Sequence, residues 1–152
     1  MKKQYIPIIL LSIFVLSLIL GFLLKDDLND FISRKIQESA DTDVVLSGEQ
    51  WVDSLFNYTK NGEEYEYTLL QFRSTGCSIC KQMEPELEKI KNTPGKKVNV
   101  MVLDVMNVNS QNVMKYFGIS AVPIHLVLDK QSKEIFRKYG YIPGEELLQN
   151  MK

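Results

Sequence analysis

Cysteine, histidine and tryptophan are nearly missing from this 152-residue chain, which has two, one and one of them respectively. Two cysteines cannot build a disulfide-rich scaffold, so the chain has to fold around an apolar core. An excess of either charge is missing too. Eighteen basic and 19 acidic residues leave a formal charge of −1, and no basic tract stands out. Nucleic acid therefore finds no electrostatic foothold. Internal repeats and low-complexity segments are absent as well. What remains is a globular composition, 45% hydrophobic and 24% charged, in a length suited to one domain and an appendage.

The most informative absence is of charge between Ile6 and Leu24, in "IPIILLSIFVLSLILGFLL". As a helix this run is about 28 Å long, close to the hydrocarbon thickness of a bilayer. It exceeds the ~7–15-residue apolar core of a cleaved signal peptide and lacks a small-x-small end. Residues 1–24 thus read as an uncleaved transmembrane signal anchor. No cysteine follows it to accept a lipid. Lys2 and Lys3 precede the run and are expected to stay cytoplasmic, which places everything from Lys25 onward outside the cytoplasm. That compartment tolerates disulfides.

Residues 25–46 read as a stalk or linker, with Leu28, Phe31, Ile32 and Ile36 at helical spacing. A domain is expected over 47–152. Ser47 and Gln50 have the spacing of a capping box, and Trp51, Val52, Leu55 and Phe56 follow with helical period. "YEYTLLQF" (65–72) reads as a strand, "CKQMEPELEKIK" as a helix, and "VNVMVLDV" (98–105) as a central strand covered on both faces. "NSQNVMKYFGI" reads as a helix stopped by Gly118, "PIHLVLD" and "KEIFRKYG" as a hairpin, and "PGEELLQNMK" as a last helix. The order is helix, strand, helix, strand, helix, strand, strand, helix. It predicts an α/β fold with a mixed central sheet and helices on both faces.

Both cysteines sit in "STGCSIC", two residues apart at the junction of a predicted strand and helix. A pair so spaced can exchange electrons, supply half of a metal site, or staple a loop. The surrounding residues carry a resemblance. The strand-ending Cys77–Cys80 pair is followed by Lys81 and by Pro85 inside the helix, Val122-Pro123 precedes a late strand, and Gly140 follows the last one. In these features and in element order, residues 47–152 resemble the thioredoxin family. With the anchor, the whole chain resembles membrane-tethered, extracytoplasmic thioredoxin-like proteins.

That resemblance implies a thiol–disulfide oxidoreductase that needs no cofactor and no metal. A cysteine at a helix N-terminus meets free backbone N–H groups and the positive end of the helix dipole, which favour its thiolate. Cys77 is therefore the expected nucleophile and Cys80 the resolving thiol, the two forming a redox-active disulfide. The resemblance also implies a cis bond at Val122-Pro123, with Gly76, Val122 and Pro123 as substrate-contacting positions. Three positions depart from the family pattern. Gly76 stands where the family has Trp, Ser78-Ile79 where it has Gly-Pro, and Gln71 where it buries an acid. Glu84 is a candidate substitute for that acid. The expected partners are extracytoplasmic cysteine-containing proteins and a membrane electron donor or acceptor, with a lean towards reductase. Two other readings are a copper- or zinc-handling module using Cys77, Cys80 and His125, and a redox-silent thioredoxin-like adaptor. His125 and Met101, Met106 and Met114 read more simply as a strand histidine and core filler.

Overall fold

In the stretch Tyr67–Arg73, successive side chains point to opposite faces of a strand, and nearly all of them are buried. Such a strand needs cover on both sides, and the computed structural model, which describes residues 5–151, supplies it. The elements are α1 (Tyr5–Leu23), α2 (Lys25–Glu38), α3 (Thr42–Phe56), α4 (Tyr58–Asn61), β1 (Tyr67–Arg73), α5 (Ser78–Lys91), β2 (Val98–Asp104), α6 (Gln111–Phe117), β3 (Ile124–Asp129), β4 (Glu134–Tyr139) and α7 (Gly144–Gln149). Lys2 and Lys3, on which the predicted orientation of the anchor rests, lie outside the described residues.

The four strands form one sheet in the order β2-β1-β3-β4. β1 runs parallel to β2 and antiparallel to β3, and β4 is antiparallel to β3. The C-terminal ends of β1, β2 and β4 and the N-terminal end of β3 therefore share one end of the sheet. Leu70 and Phe72 of β1 face one side with Ile124, Leu126 and Leu128 of β3, against Val52 and Phe56 of α3 and Val113 and Phe117 of α6. Leu69 and Val127 face the other side, under Met83, Leu87 and Ile90 of α5 and Leu147 of α7. Burying each such side chain contributes about 1.5–3 kcal/mol, so the two apolar layers hold the sheet from both faces.

Two expectations are corrected. The first concerns β2, which is an edge strand rather than a central one, with Val102 41% exposed. Its apolar run is spent on α5, β1 and the flank of the α3/α6 layer, while the fully covered strands are β1 and β3. The second concerns Ser47, which does not cap a helix. The α3 helix starts at Thr42 after an extended Asp41, whose carbonyl accepts from the amides of Val44 and Val45. Ser47 lies inside the helix and donates to the Val44 carbonyl. Gly48 is also interior, where glycine costs about 1 kcal/mol relative to alanine. Tyr116 of α6 accounts for it, because a Cβ at position 48 would come within 2.5 Å of the Tyr116 Cβ.

The segment 25–46 is two packed pieces, α2 and the start of α3. α2 engages the sheet end and α6 through a polar face. The Ser33 hydroxyl meets the Tyr139 hydroxyl at 2.5 Å, Gln37 Nε2 donates to the Tyr116 carbonyl, and Lys138 Nζ reaches Asp26 at 3.1 Å. Gly118, at φ +62°, packs so closely on the Ser33 carbonyl that any Cβ there would collide with it. Leu28, Phe31 and Ile32 on the opposite face are exposed, and Ile36 is half-buried. α1 is long and apolar enough to cross a membrane over Ile6–Leu23, and its large side chains are exposed throughout.

Candidate functional site: a cysteine pair at the end of the sheet

Strand β1 ends at Arg73, and the chain turns through Ser74–Gly76 into α5. Gly76 has φ +81°, a left-handed conformation that disfavours any residue with a Cβ and carries the chain into the helix. Cys77 then takes the N-cap position of α5, with φ −69° and ψ 107°. Its Sγ accepts from the Cys80 amide at 3.1 Å, so a sulfur occupies the place where a serine or aspartate oxygen usually caps. The free amides and dipole of the first helical turn therefore converge on this atom.

Cys77 and Cys80 are joined as a disulfide, with Cα atoms 5.3 Å apart. Cys77 is half-buried, whereas Cys80 is only 2% exposed and begins the buried α5 stripe that continues through Met83, Leu87 and Ile90. Of the two sulfur-bearing residues, Cys77 is the one an incoming group can reach. A cleft of about 190 Å³ opens beside the pair, rimmed by Arg73, Gly76, Lys81, Glu84 and Asp104. A larger cavity of about 470 Å³ lies at the other end of the sheet, where Glu64 and Lys97 form an ion pair on its rim.

The Val122-Pro123 peptide bond is cis. Pro123 is buried, and its carbonyl accepts from the Gly140 amide at 2.8 Å, which joins the start of β3 to the end of β4. The start of β3 and the turn carrying Cys77 lie at the same end of the sheet, because Ile124 pairs with Phe72. Gly76, Cys77, Cys80, Val122 and Pro123 are thereby brought to one edge.

Beneath this edge is a pair that strand patterning alone did not connect. Gln71 and His125 are register partners across β1 and β3, and both are almost fully buried on the face that α5 covers. Gln71 Nε2 lies 3.1 Å from His125 Nε2, and His125 Nδ1 has no hydrogen-bond partner. Burial pushes the imidazole down to about 4, the Lys138 backbone pulling less strongly the other way. The ring is therefore neutral at pH 7. The signal was available in the sequence: Gln71 and His125 are long polar side chains within two otherwise largely apolar strands. Glu84 is elsewhere, on the exposed rim 3.4 Å from Arg73, and does not take the place of a buried acid. Among the described residues no three His, Cys, Asp or Glu side chains come together as a metal site. Met101 and Met114 pack against the core, but Met106 is 73% exposed and fills nothing.

A four-stranded mixed sheet with a cysteine pair capping the helix after its central strand defines a class, the thioredoxin-like proteins. The chain belongs to the thioredoxin-like domain family, whose profile matches residues 54–152. It is 27% identical over 84 residues to the thioredoxin-like protein HCF164, chloroplastic, of Arabidopsis thaliana, covering 55% of this chain and 32% of that one. It is 28% identical over 86 residues to the SPbeta prophage-derived thioredoxin-like protein YosR of Bacillus subtilis, covering 55% of this chain and 98% of that one. The chain thus spans about a third of the length of the HCF164 proteins of Arabidopsis thaliana and Oryza sativa. Among solved structures, a mutant thioredoxin from Halobacterium salinarum superposes with a TM-score of 0.51 at 18% identity, covering 59% of this chain and 75% of that one. A malaria-parasite thioredoxin-2 gives 0.50 at 18% identity, covering 57% and 82%. These two likenesses concern the fold.

Proposed function

We propose that the protein is a membrane-tethered thiol–disulfide oxidoreductase acting outside the cytoplasm, with Cys77 as nucleophile and Cys80 as resolving thiol. The observation that carries this reading is the asymmetry of the pair. One cysteine is accessible at a helix N-cap, and the other is buried three residues on. In the reductive direction the Cys77 thiolate attacks a partner's disulfide, forming a mixed disulfide and releasing one partner thiolate. The Cys80 thiolate then attacks the Cys77 sulfur and expels the second partner thiolate. Two electrons leave the pair, two reach the partner, and Cys77–Cys80 closes as the disulfide. Return to the dithiol draws two electrons from a membrane-borne dithiol donor, since α1 contains no cysteine to carry them across.

In this reading residues 1–24 are the anchor, and Gly76, Val122 and Pro123 present backbone and small side chains to an extended partner segment lying across the cleft. Reduction is favoured over oxidation by analogy with membrane-tethered thioredoxin-like proteins that reduce selected partners. The test is the equilibrium potential of the Cys77–Cys80 pair against glutathione, with Cys80→Ser as control, together with insulin reduction under dithiothreitol. A strongly reducing potential and turnover lost in Cys77→Ser are expected. An oxidising potential would reverse the direction. A pair that never closes, in a protein that leaves insulin untouched, would remove the activity.

A further inference from the structure

The route from the apolar helix to the cysteine end of the sheet is short. The Leu24 amide donates to the Leu20 carbonyl at 3.0 Å, the last bond of α1, and the Leu28 amide donates to the Leu24 carbonyl at 2.9 Å, the first bond of α2, so Leu24 (φ −91°, ψ 3°) is the single residue between the two helices. Asp26 lies two residues past Leu24, about 3 Å further along a helix axis. It already holds Lys138, the register partner of His125, at the sheet end where Pro123 leads into β3. Ser33, two turns on, holds Tyr139 at the same end of the sheet and is pressed by Gly118. The membrane-proximal half of α2 is thus fastened to the strand ends that carry the site, not to the far end.

Two further features point the same way. The polar face of α2 is turned to its own domain, and the apolar face, with Leu28, Phe31 and Ile32, is turned outward beside the span. Outside α1 and α2, the most exposed large apolar side chains are Val108 at 82% and Met106 at 73%. Both lie in the loop after β2, at the sheet end that carries Cys77, where Tyr141 (48%) and Ile79 (40%) are exposed too.

We infer that α2 holds the domain with its cysteine end towards the bilayer, so that its partners are membrane proteins presenting a disulfide close to the headgroup layer rather than proteins free in the surrounding compartment. This rests on the reading of α1 as a membrane span and of the cysteine pair as the exchanging group. The exposed Met106 and Val108 then belong to the surface that meets such a partner.

Depth measurements on the full chain in nanodiscs test the orientation without requiring activity. In a Cys77→Ser, Cys80→Ser background, single cysteines replacing Met106 or Lys130 carry a fluorophore, and the lipids carry a quencher on the headgroup. Lys130 marks the opposite end of the sheet. Several-fold stronger quenching at 106 than at 130 is expected, and insertion of a flexible Gly-Ser segment between Leu24 and Lys25 should abolish the difference. Equal or reversed quenching would overturn the orientation, and a difference that survives the insertion would overturn the role of the helix. Quenching at 106 by acyl-chain rather than headgroup quenchers would assign the edge to lipid instead of a protein partner.

A second arm uses the unlabelled, reduced full chain and a disulfide peptide attached to lipid by a short or a long spacer. The short-spacer peptide should react at least as fast as the long one, and reaction of the long one alone would overturn the partner class. Failure to float with vesicles would instead remove the anchor. Failure to reduce insulin would remove the exchange activity, leaving the depth result to stand by itself.

Discussion

His125 is the residue whose surroundings differ most from its chemistry. A titratable ring is enclosed between β1, α5 and β4, where it faces Gln71 and the Lys138 backbone and no carboxylate. Its folded pKa of about 4 lies below the ordinary 6.5, so the unfolded chain takes up a proton at a pH where the folded one does not. Stability contributed by the neutral ring is fully present above about 6.5 and falls as pH drops towards 4. The ion-paired carboxylates of Glu38, Asp53, Glu64 and Glu86 are also lowered, by their lysine partners first, but they lose their contribution only below the ordinary carboxylate range. Between pH 6.5 and 5 the histidine therefore dominates. Urea unfolding of residues 25–152 at pH 7.5 and 5 should show a loss of about 2 kcal/mol, and His125→Phe should flatten that difference. An unchanged slope in the variant would mean that the ring is protonated when folded.

At the scale of elements, the joint between α2 and the rest of the fold depends on one glycine. Gly118 ends α6 at φ +62° and lies against the Ser33 carbonyl. Gly118→Ala combines a left-handed conformation with a backbone collision, so a loss of about 2–3 kcal/mol is expected. Because the collision is with α2, limited proteolysis after Arg34 should quicken along with the fall in melting temperature. Full protection there would show that α2 docks independently of Gly118. The sequence made this glycine legible as a helix stop, but not as a contact, because nothing in 25–38 advertised which face would be buried. The apolar spacing of Leu28, Phe31 and Ile32 names a face of α2, and the polar face is the one that packs inward. The edge position of β2 was illegible for a related reason. An apolar run measures how much a strand is covered, not how many strand neighbours it has. The placing of Cys77, Cys80 and Pro85 at a strand–helix junction, by contrast, was legible in their spacing, whereas the cis bond before Pro123 was implied only by the family resemblance.

At the scale of the molecule, the matched family region begins at residue 54, while the packed fold reaches back to α2. A chain beginning at residue 47 loses the Ser33–Tyr139 and Gln37–Tyr116 hydrogen bonds, each worth about 0.5–1.5 kcal/mol, and leaves Tyr139 and the Phe117–Gly118 turn uncovered. Residues 25–152 should therefore be more stable than 47–152 by roughly 1–3 kcal/mol in chemical unfolding, and equal midpoints would show that α2 is only an appendage. The single residue, Leu24, that separates α1 from α2 has a kinetic consequence. A tethered catalyst on a floppy leash samples a hemisphere, and its encounters are set by leash length. One mounted a single residue from its span samples a thin layer, and its encounters are set by how densely partners populate the same sheet of membrane and how fast they diffuse sideways within it. For such a protein the useful measure of substrate is molecules per unit area, and diluting the surrounding volume should leave its turnover unchanged.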